Sequence, residues 1–75
     1  MAKAKKTHPL IAQLLRARTD RGITQGALAD QVFTSTQSVH CWEAGKTDPR
    51  LSSIAAYADA LGYDIVLAPK RRWLR

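Results

Sequence analysis

The sequence predicts a small all-α domain, a bundle of four to five short helices followed by one short C-terminal β-strand. Three observations lead there. Apolar residues recur at i, i+3, i+4 and i+7 in separate segments, which is the period of a helix with one buried face. Those segments open at Pro, Thr or Ser and close near Gly, residue types that start and stop helices for physical reasons. A single stretch, Tyr63 to Leu67, leaves that period for β-branched and alternating residues. With 75 residues the chain has room for one domain and a modest core, and none for a second catalytic domain.

The elements follow in order. Thr7, His8 and Pro9 suit a helix start, since proline at the first helical position loses no needed N–H and Thr or His can cap before it. Ile11, Leu14, Leu15 and Arg18 then share one face, and Gly22 marks the stop, so the first helix covers about 9–20. Thr24 caps a second, barely two-turn helix that carries Leu28, Ala29 and Val32 inward and ends by Phe33 and Thr34. Ser35 opens a third helix, 35–44, with Gly45 suited to a left-handed stop. After the loop Lys46-Thr47-Asp48-Pro49, the repeat of Leu51, Ile54, Ala55, Ala58 and Leu61 predicts a fourth helix closed by Gly62. The chain thus divides into a basic N-terminal arm (1–8), a helical domain (9–62) and a C-terminal strand with a basic tail (63–75).

The formal charge of +6 fits an anionic partner, of which nucleic acid is the commonest for a basic domain. Its distribution tells more. Lys3, Lys5, Lys6, Lys70, Arg71, Arg72 and Arg75 supply seven of the twelve cations. Residues 7–69 hold five (Arg16, Arg18, Arg21, Lys46, Arg50) against six acids, a net of −1. The body of the domain therefore cannot hold a polyanion by bulk charge and must place a few groups well.

Two short helices joined by a tight turn form the helix-turn-helix layout, which holds its second helix out to enter the major groove of DNA. Around the helix 35–44, Ser35, Val39 and Trp42 share one side, while Thr36, Gln37, His40, Cys41 and Ala44 share the other. The first side packs, with Val39 and Trp42 as its anchors. The second is small and polar and suits base reading: Gln37 can pair bidentately with adenine, and Thr36 or Ala44 can touch a thymine methyl.

The string Gly22-Ile23-Thr24-Gln25, Leu28-Ala29, Thr34-Ser35-Thr36-Gln37-Ser38-Val39, Trp42-Glu43 and Gly45-Lys46 resembles the Cro/C1-type (XRE-type) helix-turn-helix domain of phage repressors, over residues 11–61. The resemblance implies a lambda-repressor-like bundle that binds operator DNA as a dimer, with the third helix in the major groove. It implies base contacts from Thr36, Gln37 and Cys41, with His40 on the same arc, and a phosphate contact from Gln25 at the start of helix two. Ser35 and Ser38 would reach phosphate or a base edge, and Lys46, Thr47 and Arg50 would lie along the DNA backbone. Arg18 and Glu43 would form an internal ion pair that orients the reading helix. The sequence departs from the family at two places. Phe33 stands where a glycine is usual, and a non-glycine residue at positive φ is strained, so a remodelled turn is one expectation there. Cys41 replaces a longer polar or basic side chain, which weakens one base contact.

A lone strand in a helical domain has no ladder partner in its own chain, so Tyr63, Ile65, Val66 and Leu67 are expected to pair with a two-fold mate, with Trp73 and Leu74 helping to bury the contact. The alternative is a fifth helix or a locally packed tail. No nucleophile, base and orienting group come together in the sequence, so no enzyme activity is expected. His8 and His40 are too few and too far apart for a metal site, and no cofactor is called for. Cys41 cannot form an intrachain disulfide and has no evident basic neighbour, so it is read as a small contact residue rather than a redox sensor. No apolar run reaches the roughly 18 residues of a membrane span, and the chain is expected to be cytoplasmic, without membrane contact. The function expected is a DNA-binding transcriptional repressor acting as a homodimer on an inverted-repeat operator. The alternative is an antitoxin-like module whose main partner is a toxin or another regulatory protein, and a non-specific DNA binder ranks last.

Overall fold

The computed structural model describes residues 7–69. They form four α-helices, α1 (Pro9–Asp20), α2 (Gln25–Gln31), α3 (Thr36–Ala44) and α4 (Leu51–Ala60). Lys3, Lys5 and Lys6 of the arm, and Lys70, Arg71, Arg72, Trp73, Leu74 and Arg75 of the tail, lie outside the described residues.

Side chains open the first three helices. His8 Nδ1 accepts from the Leu10 N–H at 3.1 Å, with Pro9 in the first turn, where its missing N–H is no loss. Thr24 Oγ1 accepts from the Ala27 N–H at 3.0 Å, and Ser35 Oγ from the Ser38 N–H at 3.1 Å. Each cap satisfies a helix-terminal donor that would otherwise lack a partner. α3 closes on Gly45 at φ +76°, which lets the Lys46 N–H reach back to the Cys41 carbonyl at 2.9 Å.

All four helices contribute to one core: Ile11 and Leu14 from α1, Leu28 and Ala29 from α2, Val39 from α3, and Ile54, Tyr57 and Ala58 from α4, with Leu61 just beyond it. The inward stripe of α4 is therefore Ile54, Tyr57, Ala58 and Leu61, again i, i+3, i+4 and i+7. Leu51 and Ala55, expected on that stripe, face outward, Leu51 being 68% exposed. Tyr57 takes their place as the largest fully buried side chain.

The expected C-terminal strand is corrected by the structure: among the described residues none is in a strand, and Tyr63 to Leu67 is neither strand nor fifth helix. A β-segment needs a ladder partner, and an all-helical bundle offers none within the chain. The segment is instead tied at its base. The Tyr63 N–H donates to the Ala58 carbonyl at 2.9 Å, the Arg21 guanidinium stacks 5.3 Å from the Tyr63 ring centre, and Arg21 Nη1 donates to the Leu61 carbonyl. Tyr63, Ile65 and Val66 border an open cleft of about 300 Å³ against Leu10, Leu14 and Ala17 of α1. Val66 and Leu67 stay exposed.

The turn between α2 and α3 keeps its left-handed residue although that residue is Phe33, at φ +56°, the one non-glycine at positive φ among the described residues. The expected remodelling does not occur. The Thr34 N–H bonds the Ala29 carbonyl at 3.0 Å, closing the turn around the strained position. The Phe33 ring is 95% exposed, so it gains little by packing. Left-handed backbone costs a non-glycine residue on the order of 1–2 kcal/mol, partly offset in glycine by about 0.5–1 kcal/mol of extra backbone entropy lost on folding. Phe33→Gly is therefore expected to raise stability by about 0.5–1 kcal/mol, read as a higher urea midpoint at unchanged slope; an unchanged or lower midpoint would mean the turn carries no relievable strain.

Candidate nucleic-acid interface

The third helix, α3, is held by one buried carboxylate. Glu43, on the inner side of α3, is 8% exposed and receives four donors from the other three helices. Arg18 of α1 grips it as a fork, Nη2 to Oε1 and Nε to Oε2, both at 2.8 Å. Gln25, the first residue of α2, donates Nε2 to Oε1 at 2.9 Å. The Tyr57 hydroxyl of α4 donates to Oε2. Arg18 Nη1 also donates to the Ile23 carbonyl at 2.6 Å, and Thr7 Oγ1 donates to the Glu43 carbonyl at 2.8 Å. Among the described residues no buried side-chain polar atom is left without a partner.

With Glu43 and Val39 turned inward, α3 presents Thr36, Gln37, His40 and Ala44 as exposed residues. Gln37 extends along the helix surface and its Nε2 lies 3.5 Å from the sulfur of Cys41, which is half-buried. Thr36 Oγ1 lies 3.5 Å from where a Cβ on Gly26 would sit, so the starts of α2 and α3 stand side by side. The Ser35 hydroxyl, besides capping α3, donates to the Ser38 hydroxyl at 3.0 Å. Lys46, Thr47 and Arg50 are exposed in the loop that leaves α3. Trp42 is half-buried: it packs against the core from its edge and borders a small cleft with Val32, Phe33, Thr34 and Ala56. Sequence reasoning missed the parts played by Tyr57, by Thr7 on the Glu43 carbonyl and by Gln25 on the carboxylate. The spacing Ile54, Tyr57, Ala58, Leu61 was the available signal for the first.

Two helices joined by a tight turn, the second held by a buried inner side with small polar residues outside, is the geometry of a helix-turn-helix. The family described as "Helix-turn-helix domain" matches residues 10–70. The chain belongs to this helix-turn-helix family. Among solved structures, the helix-turn-helix domain is similar to a chain described as "Toxin-Antitoxin module from Streptococcus pneumoniae", with a TM-score of 0.67 and 28% identity, over 80% of this chain and 66% of that one. Among curated proteins no relative matches.

The electrostatics of the helix-turn-helix domain follow from the Glu43 cluster. Burial alone would push the Glu43 carboxyl up, but hydrogen bonds from Arg18, Gln25 and Tyr57 outweigh it and bring it below the ordinary value of 4.5. The hydrogen bond to Glu43 raises Arg18 above its usual range, and desolvation followed by the Glu43 contact raises Tyr57, which stays a protonated donor. Among the described residues no group of three or more His, Cys, Asp or Glu is placed to hold a metal ion, and no helix is long and apolar enough to cross a membrane.

Removing one partner of a buried pair leaves an uncompensated charge, so Arg18→Met is expected to cost about 3–5 kcal/mol in urea unfolding at pH 7, and the double replacement Arg18→Met with Glu43→Leu to recover only part of that loss, because the buried Tyr57 hydroxyl then lacks its acceptor. A single-variant cost near zero would show that the pair is freely hydrated. Because the folded-state value of Glu43 lies below 4.5, its contribution is present above that pH and is lost as pH falls through the folded value. Unfolding measured from pH 6 down to pH 3 should show a fall in stability whose slope is reduced in Glu43→Gln.

Proposed function

We propose that this helix-turn-helix domain is a sequence-specific double-stranded DNA-binding transcriptional regulator of the Cro/C1 (XRE) kind, acting as a repressor. It is a binding protein, not an enzyme, and needs no cofactor. The observation that carries this reading is the outward face of α3: Thr36, Gln37, His40 and Ala44 are exposed on a helix whose opposite side is locked by Val39 and Glu43. A glutamine so presented can donate to adenine N7 and accept from N6, which discriminates bases without net charge. Ser35, Ser38, Lys46, Thr47 and Arg50 surround that face and serve phosphate contacts, as does Gln25 through the N–H that its bond to Glu43 leaves over. The described body carries a net charge of −1 (five cations, six acids), so selectivity on this reading comes from placement, with the basic ends adding non-specific attraction.

The domain works as a homodimer on an inverted repeat, with reading helices roughly 34 Å apart. The contact is assigned to the exposed apolar residues Ile65, Val66 and Leu67 together with Tyr63, which a monomer would leave in water. The similarity to a chain of a toxin–antitoxin module favours one further reading, that of an antitoxin-like regulator with a protein partner as well as DNA.

Selection of bound sequences from a random duplex pool should return an inverted repeat. In the same assay Gln37→Ala is expected to lose about 1–3 kcal/mol of discrimination at one base position per half-site while non-specific binding persists. Recovery of no preferred sequence would overturn the reading. A protein-binding role alone predicts no steep salt dependence of DNA affinity, whereas operator binding predicts a clear negative slope of log affinity on log salt. Sedimentation should report a dimer that Val66→Asp dissociates, and a wild-type monomer at micromolar concentration would exclude the assigned contact.

A further inference from the structure

We infer that Tyr57 is a positioning residue for DNA contact: its hydroxyl steadies the Glu43 carboxylate, and that carboxylate decides which way the Gln25 amide faces. The inference rests on the DNA-binding reading above and names a residue on α4, the helix that carries none of the assigned contacts.

Phenylalanine would fill the same interior volume. The hydroxyl of Tyr57 is a polar group taken wholly out of water, which is unfavourable unless it finds a partner. Its partner is a carboxylate oxygen of the reading helix rather than a backbone group. The two oxygens of Glu43 are used symmetrically. Arg18 occupies one site on each, and the remaining contacts are Gln25 on Oε1 and Tyr57 on Oε2. Arg18 grips a single edge of the carboxylate. Tyr57 holds a second side, so the oxygen that anchors Gln25 is set by α4 as well as by α1.

Gln25 is half-buried at the first position of α2. A glutamine amide has a donor end and an acceptor end, and a carboxylate accepts only. Glu43 therefore forces the Gln25 nitrogen inward, leaving its second N–H in a fixed direction. If the carboxylate turned away, the amide could flip and present its carbonyl oxygen instead, which repels phosphate. The hydroxyl of Tyr57 acts against that flip from the far side of the core.

The test pairs Tyr57→Phe with Gln25→Ala. Tyr57→Phe is expected to weaken binding of the selected duplex by about three- to ten-fold, the range of one lost hydrogen bond, when Gln25 is present, and to have little further effect in the Gln25→Ala background. Discrimination at the Gln37 position should not change. A merely structural role would weaken both backgrounds equally, and that result would overturn the inference. A second readout needs no DNA. In the free protein the side-chain NH₂ signals of Gln25 should be well separated and should move toward free-amide positions in Tyr57→Phe; unmoved signals would overturn the inference. Should Tyr57→Phe not fold, the variant Gln25→Ala, at a half-buried position, supplies the reciprocal measurement, a shift of the Tyr57 ring signals, whose absence counts the same way. Amide signals that move in a protein binding no selected duplex would show the link intact and the DNA reading wrong.

Discussion

The Glu43 carboxylate, carried into the interior by α3, is the group around which the other three helices are arranged. A charge in that place is tolerated because Arg18, Gln25 and Tyr57 supply donors from α1, α2 and α4. The apolar core is small and contributes most of the driving force, but that force has no direction and leaves α3 free to rotate by a fraction of a turn. Hydrogen bonds do have direction. The two-bonded Arg18 fork sets the rotation of α3, and with it the side chains that face outward.

That rotation links the interior to the surface. Val39 and Glu43 lie inward, and Gln37 and His40 among others are left outside. Gln25 belongs to both regions, since its nitrogen completes the buried cluster while its residue opens α2 beside Thr36. A polar network inside a small domain is often discussed for its effect on stability. Here its geometric consequence matters more, because it ties α3 to each of the other three helices.

Strain and exposure are concentrated away from this cluster. Phe33 occupies left-handed backbone with its ring in solvent, and the segment after Tyr63 leaves Val66 and Leu67 uncovered. Neither feature improves the packing of the isolated chain. The base of the terminal segment is nonetheless fixed, by Arg21 on Tyr63 and on the Leu61 carbonyl, so the apolar residues beyond it start from a defined point on the bundle.

Local chemistry determined much of this protein from sequence. The starts of α1, α2 and α3 were legible in Pro9, Thr24 and Ser35, the stop of α3 in Gly45, and the inward anchor of α3 in Val39, because caps, left-handed turns and a 3.6-residue period act within a few residues of chain. The outward face of α3 was legible for the same reason. Tertiary structure decided the rest. Whether Leu51 or Tyr57 faces inward on α4 depends on where α1 and α2 lie, and short-range periodicity admits both stripes. The union of Glu43 with Gln25 and Tyr57 joins residues 18 and 14 positions apart, a separation at which no local preference acts. The segment expected to be a strand failed to become one because a β-ladder is a relation between two segments, and β-branched residues can favour it without supplying the second.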